Sequence, residues 1–150
     1  MGVGAQCREG ARMITGILPF QIQGAHFTCE MQYDEDHPYE LTFIFRISCQ
    51  EADCTDTHEQ TWIIGRDLLA EGADSELWVG EGDVKLRRNA HNSVEIALQT
   101  RENNQEVVAI VTVPRRPLRD FISRTYGVVD AGKESERFDW DSLDAERATW

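Results

Sequence analysis

The strictest constraint on this chain is an apolar–polar alternation of period two that runs through its first two-thirds. Leu41, Phe43, Phe45 and Ile47, in phase with Tyr39, alternate with Glu40, Thr42, Arg46 and Ser48, and only Ile44 breaks the polar phase. A β-strand turns successive side chains to opposite faces, so such a segment puts one face on a core and the other towards water. The same pattern recurs upstream. Leu18, Phe20 and Ile22 alternate with polar neighbours up to Gly24; Phe27, Cys29, Met31 and Tyr33 do so up to an acidic turn, Asp34-Glu35-Asp36-His37-Pro38. Downstream, Trp62-Ile63-Ile64 predicts a strand buried on both sides, and residues 84–88 and 93–99 predict two more. Residues 107–113 are apolar in both phases, as a central strand would be.

Helical spacing comes late. Residues 66–72, Arg-Asp-Leu-Leu-Ala-Glu-Gly, predict one or two helical turns stopped by Gly72. Leu118, Phe121, Ile122 and Tyr126 form a helical stripe over residues 117–126, with Pro117 at the first helical position and Gly127 as the stop. Residues 141–148 predict a second short helix. These elements make an α+β domain, an antiparallel sheet of about seven strands with helices packed on one face. At 150 residues the chain is one domain, 13–150, behind a flexible N-terminus, 1–12. It is long enough to bury roughly 70% of its extended surface without disulfides or metals.

Charge narrows the function. Fifteen Lys and Arg against 27 Asp and Glu leave −12, which repels nucleic acid and anionic membranes unless bases are gathered on one face. No apolar stretch is long enough to span a bilayer, and no leader pattern opens the chain, so the expected location is cytoplasmic.

Reactive centres are missing from the pattern. The four cysteines lie 22, 20 and 5 residues apart, so no Cys-x-x-Cys pair anchors a zinc site. Cys49, Cys54 and His58 with Asp53 or Asp56 are the best ligand set, yet Cys29 and Cys49 fall in the apolar phase of their strands, where cysteine is a small hydrophobe. A cross-strand contact between those two would be packed thiols. There is no Gly-x-Ser-x-Gly, and Gly80-Glu81-Gly82-Asp83 lacks the lysine of a phosphate loop. The expectation is no enzyme, no cofactor and no metal.

One segment runs against the overall charge. Arg115, Arg116, Arg119 and Arg124 face a single acid, Asp120, whereas residues 130–150 carry seven acids and three bases. The acidic tail can fold back over these arginines, or Arg115, Arg116 and Arg119 can dock an acidic partner.

Taken together, several residues resemble the SsgA/SsgB-like regulators of sporulation and cell division in actinomycetes. They are Tyr33-Asp34 and Pro38-Tyr39, residues 62–72 from Trp62 to Gly72, Gly82-Asp83-Val84, Phe121-Ile122-Ser123-Arg124-Thr125 and Phe138-Asp139-Trp140-Asp141. His37 and a long loop over residues 50–60 depart from the family pattern. The resemblance implies a non-enzymatic regulator that binds division proteins (the tubulin-like GTPase FtsZ, or family paralogues) at septum sites. It also implies a whirly-like fold assembled as a homotrimer. That fold raises an alternative, a single-stranded nucleic-acid binder, which the net charge disfavours.

Overall fold

The computed structural model describes residues 12–48 and 57–136. Two-residue turns fold the alternating segments into hairpins. Gln23 and Gly24, at φ 50° and 82°, join β1 (Met13–Ile22) to β2 (Ala25–Asp34). Asn103 and Asn104, at φ 51° and 65°, join β6 (Ser93–Glu102) to β7 (Gln105–Pro114). Paired positive φ values give a turn whose twist matches that of the strands it connects. Between the hairpins come β3 (Glu40–Ser48), β4 (Thr57–Gly65), helix α1 (Arg66–Gly72) and β5 (Val84–Arg88). Helix α2 (Arg115–Val128) follows β7, and a 3-10 turn covers Glu134–Glu136.

The seven strands form one antiparallel sheet in the order β4-β3-β2-β1-β7-β6-β5. Its inner face carries Leu18, Phe20, Met31, Tyr33, Leu41, Phe43, Ile64, Leu86, Ile96 and Val111, all buried. Phe20 meets Phe45 edge to face at 5.1 Å, a favoured geometry for aromatic rings. Although β4 and β5 lie at opposite ends of the sheet, both touch α1, so the sheet curls and brings its edges to one short helix. Gly72 permits that approach: a Cβ there would stand 2.5 Å from the Cβ of Leu86 on β5. Helix α2 lays Leu118, Phe121 and Ile122 into the same core and touches β1, β6 and β7.

Several expectations are corrected. Of Trp62-Ile63-Ile64 only Ile64 is buried and Ile63 is 57% exposed, because β4 is an edge strand. Tyr39 is exposed in the turn before β3, where its carbonyl accepts the Arg66 backbone N–H. β3, which carries Ile44 in its polar phase, lies between β2 and β4. β7 does lie inside the sheet, yet it pairs with β1 only at Thr112 and Val111. Val107, Val108 and Ile110 therefore project bare on the outer half of the β6–β7 hairpin. Helix α2 begins at Arg115, so Pro117 is its third residue, still in the first turn where a missing N–H costs no helical bond. Gly127 does not stop it; the helix runs to Val128. His58 and Thr57 belong to β4 rather than to a loop. The N-terminal segment before Arg12, Cys49, Cys54, Asp53, Asp56 and the helix expected over 141–148 lie outside the described residues.

Candidate partner-binding site

Two arginine clusters hold the helices, and they decide which charges remain for a partner. In the first, α1 opens with Arg66, whose side chain is fully buried. One terminal nitrogen, Nη1, donates to the Thr125 carbonyl (3.0 Å), the Val129 carbonyl (2.7 Å) and the Tyr33 hydroxyl (3.0 Å). The other, Nη2, donates to Glu134 Oε2 at 2.8 Å. Carbonyls at a helix C-terminus carry the negative end of its dipole, so a guanidinium adds a charged donor there, beside the Val129 backbone N–H that the Thr125 carbonyl also accepts at 3.0 Å. The Tyr126 ring lies 4.1 Å from the guanidinium carbon, and the Tyr126 hydroxyl donates to Asp67 Oδ1 at 2.9 Å. Burial pushes the Tyr33 and Tyr126 hydroxyls up to about 12. Arg66's hydrogen bond, opposed by burial, holds the Glu134 carboxyl below the usual carboxylate range. Arg66 thus ties β2, α1, the end of α2 and the chain beyond it into one knot.

The second cluster takes up two of the three arginines singled out above. Arg115 donates from Nε to the Ala73 carbonyl (2.7 Å) and from Nη2 to Asp74 Oδ1 (2.5 Å). Arg119, one turn on, donates from Nη1 to the same oxygen. Burial works against ionisation of Asp74, but the hydrogen bond from Arg115 and the charge of Arg119 outweigh it and depress its pKa. The first turn of α2 contains no acid, and Asp74 supplies the negative charge that its N-terminus favours. Arg116 points to solvent and joins neither cluster; Arg124, also exposed, stacks 5.4 Å from the Phe121 ring.

Within the described residues Glu134 pairs with Arg66 and Asp74 with Arg115 and Arg119; residues 137–150 of the acidic tail lie outside them. Two guanidiniums share one carboxylate at the start of α2, where the exposed Arg116 and Asp120 stand beside them. Such a surface can dock carboxylates. Cys29 is a buried free thiol that burial pushes up to about 12, far from a reactive thiolate. Among the described residues no three His, Cys, Asp or Glu side chains gather to hold a metal, and no helix is long and apolar enough to cross a membrane.

Sequence reasoning named Arg115, Arg116 and Arg119 but missed Asp74 and the role of Arg66. The only signal for Arg66 was its place at the head of the Arg-Asp-Leu-Leu-Ala-Glu-Gly stretch.

Comparison with known proteins agrees with this anatomy. Residues 27–134 match the model of the SsgA family, described as Streptomyces sporulation and cell division protein. The sporulation-specific cell division protein SsgB of Thermobifida fusca is 33% identical over 148 residues, 97% of this chain and 95% of that one. SsgB of Streptomyces coelicolor is 32% identical over 114 residues, 74% of each chain. The crystal structure of the SsgA-like sporulation-specific cell division protein from Thermobifida fusca superposes with a TM-score of 0.68 at 28% identity, covering 91% of this chain and 96% of that chain. The matched span runs from β2 to the 3-10 turn and so contains both arginine clusters. The chain belongs to the SsgA family of sporulation and cell division proteins.

Proposed function

We propose that the chain is a non-enzymatic regulator of sporulation-specific cell division, acting by protein–protein binding at septum sites. In this reading it recruits or positions the tubulin-like division GTPase FtsZ, or its accessory factors, from the cytoplasmic side. The role in sporulation division rests on relatives of known name that match 74% and 97% of the chain. The mode of action rests on one observation: at the start of α2 Arg115 and Arg119 share one carboxylate and Arg116 beside them is exposed, on a chain of net charge −12. Charge of that kind selects an acidic protein surface and speeds its encounter.

A homotrimer completes the reading. The bare outer half of β7, with Val108 56% exposed and Ile110 47% exposed, is the kind of strand edge that proteins normally cover. The number three comes from the family resemblance. Light scattering on the purified protein should return three times the chain mass; a monomer across a wide concentration range refutes it.

The test of function is a pull-down from sporulating hyphae with the wild type and with Arg116→Glu/Arg119→Glu. The Arg119–Asp74 pair is exposed and of small worth, so the fold should hold. Division proteins should be enriched by the wild type and lost by the variant. Equal enrichment by both, at equal melting temperature, removes these arginines from the account. Micromolar binding of single-stranded DNA that falls steeply with salt would instead favour the nucleic-acid reading and its whirly-like fold.

A further inference from the structure

Strand β1 lies inside the sheet, yet it pairs with β7 only at Gln21 and Ile22. Beyond them β7 ends at Pro114 and the chain turns into α2, so from Met13 to Pro19 no strand stands on the β7 side of β1. Successive residues of an antiparallel strand turn their N–H and C=O groups to opposite neighbours. Ile22 and Ala25 close the two-residue turn, so the even-numbered residues of β1 bond to β2. Gln21 pairs with Thr112, and Met13, Thr15 and Ile17 turn their backbone groups to that same side. Among the described residues none of those groups has a hydrogen-bond partner. Their side chains stand on the outer face, with Ile17 66% and Met13 56% exposed. Pro19, which has no N–H to offer, falls on the bare side, and proline within a sheet is confined to such edges. Residues 13–25 contain no charge, so the edge lacks the lysines with which proteins usually guard a free strand.

The bare edge is one wall of a slot. Phe121 of α2 underlies it, close enough that a Cβ on Gly16 would stand 2.9 Å from the ring. One end closes where β1 and β7 part, at a cleft of about 210 Å³ whose lining includes Pro19, Gln21, His26, Thr112 and Pro114. We propose that this slot takes an extended, uncharged, β-branched segment of a partner protein, which adds to β1 as a strand in the line of β7. Main-chain bonds to Met13, Thr15 and Ile17 hold the segment, and its outward side chains pack against Met13 and Ile17. Charge selects the occupant. Residues 137–150 and the bare strands of a second copy (β4 with Glu59, the outer half of β7 with Glu106) bring acids, and residues 13–25 hold no base to meet them. The chain before β1 is led elsewhere: the Arg12 carbonyl accepts the Glu35 N–H at 2.8 Å, on the β2 side. The inference rests on the reading that the protein works by binding other proteins, and it uses residues other than the arginines of α2.

Amide hydrogen exchange read by NMR on the full chain tests the edge directly. In the free protein Thr15 and Ile17 should exchange fast, while Ile14, Gly16 and Leu18 are protected by β2. Protection of Thr15 and Ile17 without any peptide shows the slot already filled and overturns the proposal. The probe is a fluorescent peptide of about eight residues alternating Val and Thr, titrated with full-length protein and read by anisotropy. It should bind and slow exchange at Thr15 and Ile17. Its control, N-methylated at every residue, should bind about tenfold more weakly or worse, because it cannot donate to β1. Thr15→Pro removes an N–H that the fold leaves unbonded, so it should weaken the probe by a similar factor at an unchanged melting curve, whereas Thr15→Val should not. If Thr15→Pro unfolds, Ile17→Lys and the N-methylated control carry the test. No binding, or equal binding by wild type and Thr15→Pro, overturns the proposal. So does a peptide of residues 137–150 outcompeting the probe, or a change in oligomer mass when the probe is added. Arg116→Glu/Arg119→Glu should bind the probe as wild type does; loss of binding there assigns it to α2 and removes the slot. If the probe fails while that arginine variant loses division proteins in the hyphal pull-down, the slot falls and the α2 reading stands. If the probe binds the slot but wild-type protein captures no division protein, the slot stands and the division reading falls.

Discussion

Replacing Glu134 by Gln removes the only carboxylate that meets the buried guanidinium of Arg66 among the described residues. Arg66 is fully buried and the Glu134 side chain only 8% exposed. Breaking a buried ion pair by removing one partner costs about 3–5 kcal/mol, because the remaining charge is left uncompensated. The Gln amide oxygen still accepts one hydrogen bond, which returns about 1 kcal/mol, so the net loss is about 3 kcal/mol. For a chain of this length that is a fall in Tm of about 6–12 °C. The loss depends on pH with a definite sign. The Glu134 carboxyl is depressed in the folded state, so its stabilisation is fully present above the unfolded value, near pH ~4.3, and disappears as pH falls through the folded value. Calorimetry of both proteins at pH 7 and at stepwise lower pH should show two melting curves that approach one another once pH falls below the unfolded value and meet below the folded one. Arg66→Met should cost more, since it also uncaps the Thr125 and Val129 carbonyls, and adding Glu134→Gln to it should cost almost nothing. A loss under about 1 kcal/mol at pH 7, or one that persists unchanged to pH 3, refutes the knot as an electrostatic device.

Three further outcomes follow from packing and backbone geometry. Gly72→Ala drives a Cβ to 2.5 Å from Leu86, a core residue whose own Cβ cannot swing aside, and should cost about 1–3 kcal/mol in denaturant unfolding. Gln23→Gly relieves a left-handed side-chain-bearing residue at φ 50° in the β1–β2 turn and should raise stability by about 1 kcal/mol. Cys29 should stay unlabelled by iodoacetamide at pH 8 in the native protein and react on unfolding; peptide mass mapping showing fast native labelling would contradict its burial.

Period-two alternation is a local signal, and it made the strands of the sheet legible: Cys29, Met31 and Tyr33, or Leu41, Phe43 and Phe45, point to the core as their phase requires. Phase does not say which strands neighbour each other, so Ile63 and Val108 read as buried though one lies on an edge strand and the other on a free hairpin arm. Pro117 marked the helix but not its first residue, because proline is tolerated anywhere in the first turn. The arginines at the start of α2 were legible from charge alone. Their partner was not, since Asp74 lies 41 residues from Arg115 in sequence and meets it only once the sheet has curled. Arg66 and Glu134 are 68 residues apart and equally invisible to local pattern. An arginine at a short helix start reads as surface charge until a second helix ends on top of it.

Where the protein goes in a dividing hypha decides whether it binds division proteins through α2. Fluorescently tagged wild type and Arg116→Glu/Arg119→Glu should be followed by time-lapse microscopy alongside the division GTPase, with matched expression and melting temperature. The wild type should gather at nascent septa with the GTPase while the variant stays diffuse. Normal septal localisation of the variant, or a wild type that never reaches septa, contradicts it.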